Sequence, residues 1–101
     1  MSLDIVQEVF EDADPYGYIR LSSFPDAYDE CAKLVFDKLH LDLTIDQIQT
    51  IIWEAFYSYI CVGKVGEVEF SLDKAEACVI LGDVSRFKGM ALNIRHLLYK
   101  L

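Results

Sequence analysis

Carboxylates dominate the chemistry available to this chain. Glu8, Glu11, Asp12, Asp14, Asp26, Asp29 and Glu30 fall within the first 30 residues, where Arg20 is the lone base. Carboxylates at that density can surround a cation, or they can present a negative field to a basic partner. A solvated face is the plainer alternative. The other reactive side chains are sparse. His40 and His96 have no Cys or acid three or four residues after them, the spacing a helical metal site needs. Cys31, Cys61 and Cys78 are odd in number, widely spaced and without a CxxC pair, so they read as free thiols in buried, small apolar roles. The chain holds no P-loop, dinucleotide-binding loop, nucleophile elbow or HExxH motif. No enzymatic activity, cofactor or metal centre is therefore expected.

One spacing does suggest a metal. Asp12, Asp14, Gly17 and Ile19 occupy positions one, three, six and eight of a calcium-loop pattern between two predicted helices, and at that point the segment resembles an EF-hand. Position five is Tyr16 and position twelve is Ser23, where the family places an Asp or Asn and a bidentate Glu. The resemblance implies a degenerate loop at most. An ordinary Asp-Pro-Tyr-Gly turn is the expected reading.

Charge is distributed unevenly along the 101 residues. Residues 1–83 hold all 17 acids against five bases, while residues 84–101 hold four bases and no acid. Self-repulsion of that size opposes compaction, so a basic protein partner is expected, reached by electrostatic steering. Direct nucleic-acid binding is not expected, because phosphate contacts need a basic footprint. The basic residues of the last helix, Arg86, Lys88, Arg95, His96 and Lys100, suit a helix C-terminal end and bridges to the acidic body. The alternative is homo-oligomerisation, one chain's basic helix on another's acidic face. Met1-Ser2-Leu3-Asp4 lacks a basic leader, and the longest nearly apolar run, Ala55 to Val62, is far below the roughly 20 residues of a membrane span. A cytoplasmic setting without membrane contact is expected.

These side chains must be positioned by a mainly α fold, one globular domain over 1–101. With 53% hydrophobic and 13% aromatic residues there is ample material for a core. A first helix runs from Ser2 to the Asp14-Pro15-Tyr16-Gly17 turn, and Tyr18 to Leu21 reads as a brief extended piece. A second helix begins at Ser23-Phe24-Pro25 with Phe24, Ala27, Tyr28, Cys31, Leu34 and Val35 in one stripe. Thr44 and Gln47 have capping-box spacing ahead of Ile45, Ile48, Ile51, Ile52, Ala55, Phe56 and Tyr59 at 3.6 periodicity. Trp53 and Tyr57 lie off that stripe and are candidate anchors for a partner.

Gly63 to Gly66 breaks the third helix, and Glu67 to Phe70 alternates as a strand. Asp73 caps a further helix ending near Gly82. Asp83 caps the last helix, on which Gly89 predicts a close backbone contact or a bend. The expected architecture is a compact bundle of four to five helices with at most a small ribbon joining Tyr18–Leu21 to Glu67–Phe70. The alternative is α+β, with Cys78–Leu81 as a third strand. Function is then expected in one of three forms. The leading one is a small acidic protein that binds and inhibits a basic protein, of immunity, antitoxin or phage-inhibitor type. It would dock through Glu11, Asp12, Asp14, Asp26, Asp29, Glu30, Trp53 and Tyr57. The others are a degenerate EF-hand-like module and a small structural subunit of an oligomeric assembly.

Overall fold

The capping box at Thr44 is formed. The Thr44 hydroxyl accepts from the Gln47 N–H at 3.2 Å while the Gln47 side chain accepts from the Thr44 N–H at 2.8 Å, so two donors that a helix start leaves free are paired. This is seen in a computed structural model of the chain, which describes residues 2–22 and 26–99. The expected helix start at Ser23-Phe24-Pro25 lies outside the described residues.

Six α-helices are described: α1 (Leu3–Ala13), α2 (Tyr18–Ser22), α3 (Asp29–Phe36), α4 (Ile45–Phe56), α5 (Lys74–Leu81) and α6 (Lys88–Tyr99). Strands β1 (Val62–Val65) and β2 (Val68–Ser71) form one antiparallel hairpin between α4 and α5. The fold is mainly α with a small ribbon. Helices α1 and α4 each contact both α3 and α6, which closes a ring of four helices. Inside it lie Val6, Phe10, Tyr28, Ala32, Val35, Ile48, Ile52, Phe56, Phe87, Ala91 and Ile94, each at most 1% exposed.

Phe56 is the hub of the aromatic core. Its ring lies 5.0 Å from Tyr16 edge-on, 5.4 Å from Phe87 stacked, 5.8 Å from Phe10 and 6.0 Å from Tyr28. Aromatic pairs at such separations add to the area buried, because the positive ring edge meets a negative ring face. Past Phe56 the backbone widens into a π-helical turn, Tyr57–Cys61. That extra residue shifts the helical register. Tyr59, expected on the buried stripe, is 51% exposed, and Cys61 is fully buried in its place.

Two expectations are corrected, and the alternative of a third strand is set aside in favour of the expected helix. Tyr18–Leu21 is not extended but helical, for a tertiary reason given below. The ribbon does not join Tyr18–Leu21 to Glu67–Phe70; β2 pairs instead with the adjacent β1, in the register Val62↔Ser71 to Val65↔Val68. A two-residue turn, Gly66-Glu67, closes this hairpin, with positive φ (65°) at its first position only, the II′ pattern that matches strand twist. Closing so short a loop is entropically cheaper than pairing across some 50 residues. Nor is Cys78–Leu81 a strand: it completes α5, whose N-cap Asp73 accepts from the Glu76 N–H at 2.8 Å.

Asp83 caps a 3₁₀ turn, Val84–Phe87, that leads into α6, where the sequence suggested one continuous helix. Cys31 and Cys61 are buried as expected, but Cys78 is exposed because α5 turns only Ala77 and Leu81 inward. No described helix is long and apolar enough to cross a membrane.

The ring of contacts around Phe56 predicts the largest single-site cost in the chain. Phe56→Ala should lower unfolding free energy by about 3–5 kcal/mol, against about 5–15 kcal/mol for a typical domain. Urea denaturation followed by circular dichroism checks this; a cost below about 1 kcal/mol would show that the aromatic hub does not support the fold.

Candidate functional site

The acidic segment is organised by one carboxylate. Asp14 ends α1 in the left-handed conformation (φ 40°), which sends the chain back across the helix end. Its Oδ1 accepts from the Tyr28 hydroxyl at 2.6 Å and the Ile19 N–H at 3.2 Å, and its Oδ2 accepts from the Arg20 N–H at 3.0 Å. The last two donors belong to the first turn of α2, so Asp14 caps that helix from outside it, which is why Tyr18–Ser22 is helical.

Tyr28 completes the node. Its hydroxyl donates to Asp14 and accepts from the Tyr16 N–H at 3.1 Å and the Tyr18 N–H at 3.4 Å, using its one donor and both acceptor sites. Hydrogen bonding from Tyr28 lowers the Asp14 pKa, helped by the two backbone donors and outweighing partial desolvation. Burial, and then the Asp14 carboxylate, push the Tyr28 hydroxyl up to about 12.

The same loop is fastened on its other side. The Tyr16 hydroxyl donates to the Leu81 carbonyl at 3.0 Å. The Arg86 guanidinium lies 4.7 Å over the Tyr16 ring, donates to Leu81 O at 3.2 Å and also donates to Pro15 O. Burial holds the Tyr16 hydroxyl up at about 12 despite the neighbouring Arg86 charge.

The node decides where the other acids go. It joins the C-terminal end of α1 to the residue preceding α3, so Glu11 and Asp12 share one end of the molecule with Asp26, Asp29 and Glu30. All are exposed except Asp29, which is half-buried. Asp29 and Glu30 sit in the first turn of α3, where the helix dipole favours negative charge. Glu11 and Asp12 sit in the last turn of α1, which carries no base, and there the dipole disfavours them. Among the described residues no three His, Cys, Asp or Glu side chains converge on a metal-sized site.

Trp53 and Tyr57, the expected anchors, are turned to the fold. Trp53 is 6% exposed and stacks on half-buried Tyr57 with ring centroids 5.6 Å apart. The Trp53 indole N–H donates to Gly82 O at 3.0 Å, and the Tyr57 hydroxyl donates to Leu72 O. Those carbonyls bracket α5, so the pair clamps that helix at both ends. Burial also acts on the two buried thiols: it pushes Cys31 up to about 12 and raises Cys61, which disfavours the reactive thiolate form.

The sequence did not reveal a groove between α1 and α6, of about 710 Å³. Ile5, Val9, Met90 and Leu97 supply its apolar surface, Glu8 and Asp12 stand on the α1 wall, and Arg86, Asn93 and His96 stand on the opposite one. Gly89 opens it. A Cβ there would meet nothing within 4 Å among the described residues, so the close contact expected as one alternative is not found; Gly89 instead follows directly on the junction between the 3₁₀ turn and α6. The only sequence signal for the groove was that unexplained glycine. Compared with family models, curated proteins and solved structures, the chain matches none of them.

The node generates a pH signature. Asp14 has a depressed folded pKa, so its contribution is present above the ordinary value of about 4 and is lost as pH falls through the depressed value. Tyr28 has a raised folded pKa, so its contribution is present below about 10 and is lost as pH climbs through about 12. Tyr28→Phe should cost about 1–3 kcal/mol near neutral pH, because the Tyr16 and Tyr18 N–H groups lose their acceptor. It should also flatten both flanks of the stability profile. Chemical denaturation from pH 2 to beyond the raised Tyr28 value of about 12 checks this, and unchanged flanks would count against the node.

Proposed function

We propose that this protein is a small, non-catalytic inhibitor or adaptor that docks a basic protein partner, in the manner of immunity, antitoxin or phage-inhibitor proteins. The observation that carries the proposal is the placement of Glu11 and Asp12 in the last turn of α1, where they oppose the helix dipole. Charge placed against local stability needs another reason, and a docking field supplies one. Asp26, Asp29 and Glu30, gathered at the same end, enlarge that field, while Asp14 is engaged in holding the end together. Rim charges of this kind mainly set association rate and salt dependence.

Stability and association should move in opposite directions when these acids are reversed. Glu11→Lys with Asp12→Lys should raise unfolding free energy by about 0.3–1 kcal/mol per charge, since a base suits a helix C-terminus. Association with a basic protein captured from the host at low salt should slow several-fold and lose part of its salt dependence. Stopped-flow kinetics and thermal melts report the two effects. Unchanged association at low salt would leave the acidic end as a solvated face.

A second reading, a subunit of an oligomeric assembly, is favoured by exposed apolar residues on two consecutive elements, β2 and α5. Val79 is 87% exposed and Ile80 53% on α5, with Val68 at 69% and Phe70 at 40% on the hairpin. Among the described residues β1 and β2 pair with no further strand, and the outer edge of such a ribbon can accept one. If this surface is an interface, the protein should sediment above monomer mass and Val79→Asp should return it to monomer. Monomeric behaviour of the unaltered chain at high concentration rules the reading out.

A further inference from the structure

We infer that the groove between α1 and α6 is the seat of a basic, amphipathic segment of the partner, with its apolar side chains on Ile5, Val9, Met90 and Leu97 and a Lys or Arg beside Glu8 and Asp12. The inference rests on the proposed docking of a basic protein and says where its backbone would lie.

Two observations converge on it. Gly89 is the first. Glycine is a weaker helix former than alanine, and a Cβ at Gly89, the second residue of α6, would meet nothing within 4 Å, so packing among the described residues does not require it. A bare helix surface at the opening of a groove admits the backbone of a second segment closer than any side chain would. The second observation is charge. Glu8 and Asp12 are four residues apart on α1, a spacing that sets like charges side by side and disfavours the helix. A cation between them removes that repulsion. On the facing wall, the Arg86 guanidinium donates to Leu81 O and Pro15 O and lies over the Tyr16 ring, which holds it against the Asp14–Gly17 turn. The groove volume of about 710 Å³ lies in the range of sites that enclose several side chains.

The test uses the full chain and a fluorescein-labelled helical peptide of about three turns, with one face of Leu and the other of Lys. A Glu-for-Lys peptide controls for charge, and an Ala-for-Leu peptide controls for the apolar face. The Lys–Leu peptide should bind by anisotropy, more weakly at higher salt, and both control peptides should bind much less. Gly89→Leu, which fills the groove with a good helix former, should weaken binding about tenfold or more with the circular dichroism spectrum retained. Glu8→Lys should weaken binding at low salt independently of any change at Gly89.

Equal binding by Gly89→Leu, or by the Glu–Leu peptide, overturns the groove. So does unchanged low-salt binding by Glu8→Lys, which also decides the matter should Gly89→Leu fail to fold. Concentration-dependent self-association that Gly89→Leu abolishes would make the occupant a second copy and likewise overturn a basic partner segment. Slower peptide association in Glu11→Lys with Asp26→Lys, together with no effect of Gly89→Leu, would remove the groove and leave acidic docking standing. Failure of the Lys–Leu peptide to bind the unaltered chain removes both.

Discussion

The hydrogen bond from the buried Tyr28 hydroxyl to Asp14 is the constraint on which the N-terminal half depends. Through it one carboxylate receives three donors and one hydroxyl accepts two more, so the backbone N–H groups of Tyr16, Tyr18, Ile19 and Arg20 all find partners. The node lies over the Phe56 cluster, with Tyr28 and Tyr16 belonging to both. Polar satisfaction and aromatic packing are thus the same side chains seen from opposite ends. Charge-assisted bonds of this sort are stronger than neutral ones.

That constraint also arranges charge in space. Because α1 ends where α3 is about to begin, acids that local helix physics would separate are brought to one end of the molecule. The dipole accounts for Asp29 and Glu30 and argues against Glu11 and Asp12. Composition alone showed only an acidic chain. The tertiary path distinguishes the acids that serve the fold from those that do not.

A similar division runs through the aromatic residues. Trp53 and Tyr57 had the residue types of interface anchors, yet their polar tips are bonded to the carbonyls that flank α5. This suits a helix whose own pattern is barely amphipathic and which buries only Ala77 and Leu81. An element with so little apolar purchase is held by its ends. Its outer side, with Val79 and Ile80, is among the exposed apolar parts of the molecule, as are Val68 and Phe70 of the hairpin.

Local rules located α1, α4 and α6, because 3.6-residue periodicity is written within each segment, but only α4 forms its expected side-chain cap: Ser2 makes none, and Asp83 caps the 3₁₀ turn ahead of α6. They also located the acidic segment and the helix break at Gly63. What they did not reach depended on contacts outside the regular helical repeat, some only five or six residues apart and others between distant segments. The helicity of Tyr18–Ser22 comes from Asp14 and Tyr28, the outward turn of Tyr59 from a π-helical widening, and the α1–α6 groove from the closure of the helix ring. Short segments carry weak intrinsic preferences, so a few tertiary hydrogen bonds decide their conformation, whereas a twelve-residue amphipathic helix already contains the pattern it will bury.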